Sequence, residues 1–527
     1  MIDIKKQLLT LARLAWLLPG FLLWAAYPPM HESTDALFAL APLMWLARRG
    51  NVEVSTKRWF LNGLFYWAAT LSWMPAIIKN DGPWPLVLLG WVALAAYCAL
   101  YFAAYGYLSA LYWRRAEDRW HLRLVGVLLV EPVLWCGLEL MRSRLFGGFA
   151  WNQLGVVPVN NNFGAPAALG GVYLCSAVMV LINGTIAGIA ERMIAAAKRC
   201  PVSRWRSFET VAAFAVIWGV YLAAEWIPPP LQAEGTKGLK VALVQRNFPC
   251  CFKRGEREDA FVSYGKLTEN ATQLKPELVV LAESAMCEFG AVKSVSARRF
   301  AAWLGERCGG AAVLAGGSRA DGEGRLYNSA ALYSGQKVQV YDKNHLVPFG
   351  EYFPGDKLWP YLQRFAPVGS CTAGELKLLH LEKQDIALGV GICFEDTDSA
   401  LMRRQAALGA QALVFITNDS WFSNSHEAWA HSWQATARAI ETGLPVIRVG
   451  NSGVTGTITS DGKANWLEDS GGLPLVDVGA AMFDRVTIPA ADRVNTPYVR
   501  FGDWPLAITF GLMLLLLAVF AAPKKQV

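Results

Sequence analysis

Three short segments hold the residues of this chain best suited to chemistry. LVVLAES ends in Glu283 and Ser284, VYDKNHLVPFGEYFP holds Lys343 and Glu351, and IALGVGICFED holds Cys393 and Glu395. A carboxylate, an ammonium and a thiol, in that chain order, are the parts of a thiol-based acyl-transfer site. The thiolate is the competent nucleophile, but a free thiol at neutral pH is mostly protonated, so a base must take its proton. Glu283 is the candidate base. Lys343 is the candidate electrophile: its ammonium would stabilise both the thiolate and the tetrahedral oxyanion, helped by the backbone N–H that follows Cys393. Taken singly, each residue has a plain structural reading, since a cysteine in an apolar strand is usually core, a glutamate can end a solvated strand and a lysine can be surface charge. The ordered trio, each at the end of an expected strand, favours the chemical reading.

The elements that must position these groups are legible as short β-rich runs over 240–248, 277–284, 311–318, 328–343, 386–394, 412–418 and 445–460. Helical stretches fall between them at about 256–273, 294–308, 398–409 and 425–442. Strands alternating with helices argue for a layered α/β domain. Several strands are apolar throughout, as expected for sheets covered by helices. Cys393 then stands at a strand's carboxyl edge, where α/β sheets commonly carry ligands.

The rest of the chain is of another kind. Only 17% of its 527 residues are charged and 54% are hydrophobic, against about a quarter charged in a soluble domain. The excess lies in 8–228 and 504–522. A membrane-spanning helix needs ~20 mostly apolar residues, and eight stretches are candidates: about 8–27, 33–47, 58–78, 86–112, 122–141, 165–190, 209–227 and 504–522, the second being short and open to a partly re-entrant reading. The first lacks a small-residue cleavage site before Tyr27-Pro28-Pro29, so it reads as a retained helix. Basic residues crowd the loops 48–58, 113–123 and 191–206 and the tail at Lys524 and Lys525. Positive loops belong on the cytoplasmic side, which places both termini inside and 228–503 outside. The net charge of +7 is explained by these loops, not by a nucleic-acid surface. The expected organisation is a membrane domain over 1–228 with seven helices, a catalytic domain over 229–503, and an eighth helix with a cytoplasmic tail over 504–527. Glu131, Glu139 and Arg142, in or beside the fifth span, point to a polar cavity or helix pairing. Ten cysteines form no C-x-x-C pair and no zinc spacing. Cys250, Cys251, Cys287, Cys308 and Cys371 leave room for disulfides in an oxidising compartment. No metal-ligand spacing surrounds His345, His426 and His431.

GVGICFED, YDKNHLVPFGEYFP and the block 416–458, ITNDSWFSNSHEAWAHSWQATARAIETGLPVIRVGNSGVTGTI, resemble the signatures of the apolipoprotein N-acyltransferases, the membrane branch of the nitrilase superfamily. VALVQRNFP (241–249), GGFAWNQLG (147–155) and RFGDWP (500–505) add to the resemblance, which covers nearly the whole chain. It implies an inner-membrane enzyme with eight spans and a periplasmic αββα domain. Such an enzyme moves an acyl chain from a phospholipid, typically phosphatidylethanolamine, to the α-amino group of a lipoprotein's N-terminal diacylglyceryl-cysteine. The order is ping-pong through a cysteine thioester. The resemblance makes Glu283 the base, Lys343 the oxyanion stabiliser and Cys393 the nucleophile, with Glu351 and Glu395 as supporting acids. Asn328, Tyr341, Trp421 and Phe422 fall in matching motifs as candidate substrate or loop contacts. It implies no cofactor and no metal; the partners are the phospholipid donor, the lipoprotein acceptor and membrane lipids. Leu281-Ala282, Arg254 and Ser423 depart from the family's Trp-Pro, Trp and Gly; these departures bear on donor contacts and loop flexibility, not on the trio. The membrane half has a physical reason, because each lipid CH₂ exposed to water costs ~0.8 kcal/mol. The competing readings are a membrane-anchored nitrilase-type amidase acting on a small amide, for which one anchor would suffice, and a non-catalytic receptor or transporter.

Overall fold

A computed structural model describes residues 15–521, apart from 81, 117–118, 200–204, 227–235, 248–259, 356–357, 360, 362–369, 423–424, 471, 477 and 494. The chain divides into two compact units, one formed by 1–227 with 501–527 and the other by 228–500. The proline exit at 228–230, Cys250, Cys251, Arg254 and Ser423 lie outside the described residues.

The first unit is helical. Its main helices are α1 (Leu18–Ala25), α2 (Ala41–Ala47), α3 (Val52–Thr70), α4 (Trp84–Ala116), α5 (Trp120–Arg142, with a π turn at Gly126–Val130), α6 (Ala167–Ala197) and α7 (Trp205–Glu225). A further helix, Trp504–Ala521, closes the chain. Helices stand in all eight expected stretches, of which 8–14 lies outside the described residues; among the described residues four, at 84–116, 120–142, 167–197 and 207–225, are long and apolar enough to cross a bilayer, and 33–47 and 504–518 are shorter. The stretch expected over 58–78 stops at Thr70 and passes to a 3₁₀ turn at Met74–Asn80. Glu53, Lys57 and Arg58 charge the opening turns of α3, and Pro75 removes a backbone donor from the stretch that follows. The helices α3 and α4 approach closely because Gly106 offers no side chain: a Cβ there would come within 2.4 Å of the Trp59 ring.

The ionisable groups inside this unit have partners that sequence spacing does not show. Glu131 takes Arg48, 83 residues away, at 2.7 Å and 3.2 Å, and accepts the Trp113 indole N–H at 2.9 Å. Arg142 donates to the carbonyls of Phe149 and Trp151, both at 2.7 Å, and Glu139 accepts from the Leu154 amide at 2.8 Å. These two residues therefore fold the 147–155 loop back onto α5.

The second unit is a four-layer αββα sandwich. Its strands are β1 (Lys237–Gln245), β2 (Leu278–Leu281), β3 (Ala312–Ala320), β4 (Leu326–Ser334), β5 (Lys337–Asp342), β6 (Leu379–Leu381), β7 (Ile386–Ile392), β8 (Ala412–Asn418), β9 (Val446–Asn451), β10 (Gly456–Ile458), β11 (Ala464–Trp466) and β12 (Ala480–Ile488). They form two six-stranded sheets, ordered β12-β1-β2-β3-β4-β5 and β11-β10-β9-β8-β7-β6. Each sheet has a parallel centre, β1-β2-β3 and β7-β8-β9 respectively, flanked by antiparallel strands. The inner faces meet in one apolar core that includes Leu243, Val280, Leu332, Val390, Ile416 and Val449. One outer face packs on α8 (Ala260–Leu267) and α9 (Val295–Arg307) through Tyr264, Phe300 and Leu304; the other packs on α10 (Ser399–Ala407) and α11 (Glu427–Thr442) through Leu401, Met402 and Ala435. Local signals set the helix ends: Ser294 caps α9, Asp398 caps α10, and Gly443 at φ 65° terminates α11. Cys308 and Cys371 are free thiols.

Replacing Glu131 by Leu strands the Arg48 charge inside the helical unit. The expected cost is about 3–5 kcal/mol, read as a lowered unfolding midpoint in detergent, with Arg48→Met/Glu131→Leu recovering most of it.

Candidate active site

The three residues singled out for chemistry lie just past strand ends in both sheets. Glu283 stands two residues beyond β2, Lys343 directly follows β5, and Cys393 directly follows β7. The approach to Glu283 is tight: β3 passes so near that a Cβ on Gly316 would lie 2.0 Å from the Glu283 carbonyl oxygen. Asn418, at the end of β8, donates to the Ser284 hydroxyl at 3.0 Å and ties the two sheets together beside the site. Cys393 adopts φ 52°, a left-handed conformation that L side chains rarely take and that costs of order 1–3 kcal/mol. The sulfur is thus carried on a strained elbow between strand and turn.

One hydrogen-bonded chain links the charged groups. The Lys343 ammonium, with 1% of its side chain exposed, meets both oxygens of Glu351 at 3.0 Å and 2.9 Å. Glu351 also accepts from the Val347 amide at 2.8 Å and from Asn328 Nδ2 at 2.7 Å. The same Asn328 amide donates to Glu283 at 2.7 Å. Asn328, whose role the sequence left open, is therefore the bridge between the candidate base and the acid that holds the lysine. Glu395 works differently. It accepts from the backbone amides of Asn344 (2.6 Å), His345 (2.9 Å) and Ile392 (2.8 Å), and from the Tyr341 hydroxyl at 3.0 Å. It pins the loop after Lys343 to the strand before Cys393. Tyr341 is a buried clamp on that acid. Trp421 and Phe422 are half-buried in the 3₁₀ turn Asp419–Phe422 that follows β8.

Burial sets the proton affinities. Desolvation lifts Glu283 to about 7, against the pull of Lys343, with Glu351 adding to the rise. Desolvation, with Glu283 nearby, pushes the Cys393 thiol well above its usual range, while Lys343 and the Thr417 hydroxyl pull it down. Desolvation acts against charge on Lys343, yet Glu351, the sulfur and Glu283 outweigh it and hold the ammonium firmly protonated. The resting pair is a neutral thiol beside a carboxyl poised near neutrality, the arrangement that general-base activation requires. Glu395 is lifted by burial only to about 6, because Lys343 and the backbone donors oppose it.

Sequence reasoning set His431 aside and did not find the second buried cluster it belongs to, next to the elbow, with Asp396, Asp419, Glu427 and Arg448. Its members come from four separate segments, and only the i, i+4 spacing of Glu427 and His431 on one helix is visible in the chain.

Comparisons with known proteins follow the same division of the chain. A family model described as the apolipoprotein N-acyltransferase N-terminal domain matches residues 19–185, and one described as carbon-nitrogen hydrolase matches 240–473. A protein named apolipoprotein N-acyltransferase from Geobacter metallireducens is 32% identical over 463 residues, covering 84% of each chain. One of the same name from Photobacterium profundum is 27% identical over 519 residues, covering 95% of this chain and 94% of its own. Among solved structures, a carbon-nitrogen hydrolase from Helicobacter pylori G27 is 18% identical, with a TM-score of 0.36, covering 51% of this chain and 94% of its own.

With Glu283 as the base, acylation of Cys393 is expected to accelerate as pH rises through about 7, since that carboxyl could take the thiol proton only after losing its own. Glu283→Gln should remove that limb and about 10²–10⁴-fold of the rate. Single-turnover measurements across the range test this; a flat wild-type profile between about pH 6 and about pH 8 excludes Glu283 as the base.

Proposed function

The chain belongs to the apolipoprotein N-acyltransferase family, and we propose that it transfers a phospholipid acyl chain, through a thioester on Cys393, to the α-amino group of a lipoprotein's N-terminal diacylglyceryl-cysteine. The observation that carries this reading is the single hydrogen-bonded chain Glu283–Asn328–Glu351–Lys343 beside the Cys393 elbow. Its parts match the needs of acyl transfer. Glu283 takes the thiol proton as sulfur attacks the ester carbonyl of the donor. The Lys343 ammonium, fixed by Glu351, faces the oxyanion that develops. Collapse breaks the acyl C–O bond, and Glu283 returns the proton to the departing lysophospholipid. In the second half the acceptor amine attacks the thioester, an amide forms, and Cys393 leaves as a thiol once more.

The helical unit supports a lipid donor over a small amide. Its four long apolar helices exceed the single anchor an amidase would need, and a lipid acyl chain resists leaving a bilayer. In the second unit Phe349, Leu358, Trp359 and Tyr361 are exposed on the segment that follows Lys343. Large apolar side chains there suit contact with acyl chains at a lipid surface. The full topology belongs to this reading: eight membrane helices over 1–228 and 504–527, both termini in the cytoplasm, and 229–503 as a periplasmic domain at the bacterial inner membrane. Phosphatidylethanolamine as the usual donor belongs to it as well.

Incubation of the purified protein with phospholipid should add the mass of one acyl chain to the Cys393 peptide. A diacylglyceryl peptide should discharge it. Cys393→Ala should show neither, and Lys343→Ala, destabilised by the stranded Glu351, should fail to accumulate thioester even where it is folded. Continued turnover by Cys393→Ala, or discharge only to water with a small amide as the better substrate, would overturn the assignment.

A further inference from the structure

We propose that His431 is a positioning residue of the transfer reaction: its imidazole, clasped between Asp396 and Asp419, holds the carbonyl of Cys393 and so fixes the strained elbow that carries the thiol. This rests on the reading of Cys393 as the nucleophile. His431 lies on α11 with 2% of its side chain exposed. Its Nε2 lies 3.0 Å from Asp396 Oδ1 and 3.3 Å from the Cys393 carbonyl; its Nδ1 lies 3.1 Å from Asp419 Oδ1 and 3.5 Å from Glu427 Oε1. These four partners are oxygens, two on each side of the ring. Both nitrogens donate at once only in the imidazolium form.

The surroundings fit that charge state. Arg448 pairs with Asp396, and its Nη2 lies 3.7 Å from Asp419. Two cations thus share two carboxylates in a closed ring. Burial, with Asp419 beside it, pushes the remaining acid, Glu427, well above the usual carboxylate range, against the pull of His431 and Arg448. Desolvation and the Arg448 charge act against a proton on His431, but Asp396 and Asp419 outweigh them and lift it to about 10. Asp419 is held in turn by the Thr417 hydroxyl at 2.8 Å, so the ring is anchored to β8. Asp419, Glu427 and His431 bring ligand atoms within 4.8 Å of one another. A cation seated there would have to displace the Nδ1 proton and face the Arg448 guanidinium, so the arrangement favours the imidazolium. The cluster touches the reacting residue at the Cys393 carbonyl, and the Asp419 charge also acts through space on Cys393 and Glu283. That peptide belongs to the residue at φ 52°, where a conformation persists only if neighbours enforce it.

The test uses the full chain in detergent with a p-nitrophenyl acyl ester. The Cys393 sulfur forms the acyl bond, the ester C–O bond breaks, the thiol proton passes to Glu283 and nitrophenolate leaves as the measured burst. His431→Leu is expected to slow the burst about 10²-fold, the scale of a small misplacement of reacting atoms, with the half-saturating ester concentration unchanged. His431→Gln keeps an N–H near Nε2 and should recover about tenfold of that loss. Asp419→Asn leaves the Nε2 contact and should lower the plateau of the burst rate about tenfold, whereas loss of its charge beside Cys393 and Glu283 alone would only shift the pH profile; the plateau decides the matter if His431→Leu does not fold. A folded His431→Leu or Asp419→Asn with the wild-type burst overturns the proposal, as does a His431→Gln no faster than His431→Leu. The ester reports Cys393 acylation whatever the natural donor: a burst without phospholipid transfer retires the lipid reading alone, and no wild-type burst retires both.

Discussion

A lysine ammonium withdrawn almost entirely from water is the constraint around which the second unit is organised. Burying such an ion without a partner costs several kcal/mol, so Lys343 obliges a carboxylate to meet it, and Glu351 does so with both oxygens. Glu351 must then be held by donors of its own, which are the Val347 amide and Asn328. Asn328 has a second amide hydrogen and spends it on Glu283. The position of the candidate base is thereby tied, bond by bond, to the charge it works beside.

Three glutamates in this site act differently because their surroundings differ. Glu351 is paired to a cation. Glu395 is saturated with backbone donors and serves as a clamp between two loops. Glu283 is the most weakly satisfied of them and rises to about 7, where a carboxyl can both accept and return a proton. Low dielectric makes each of these differences large. The same logic governs the helical unit, where Arg48 and Glu131 neutralise each other in an apolar setting.

Much of this was legible in the chain. β8 at 412–418 matches its expected run, and the helices after Ser294, Asp398 and His426 begin within two residues of expectation, because caps and apolar runs are local signals. The strands β6, β11 and β12 were not legible. β6 and β11 have three residues each, and β12 alternates buried and exposed positions only near its end. The bounds of α3 were displaced toward the C-terminus, 58–78 against Val52–Thr70, because an apolar window skipped the charged first turns and ran on past Pro75.

By itself the sequence offered the candidate reactive set, the division into apolar helices and a strand-rich portion, and the family. These depend on residue type, order and local periodicity, which the chain displays directly. Only the tertiary structure decided who pairs with whom: Arg48 with Glu131, Asn328 with two glutamates at once, and His431 with Asp396, Asp419 and the Cys393 carbonyl. Partners tens of residues apart leave no periodic trace. Their proton affinities arise from burial and distance, quantities that exist only once the sheets have closed over them.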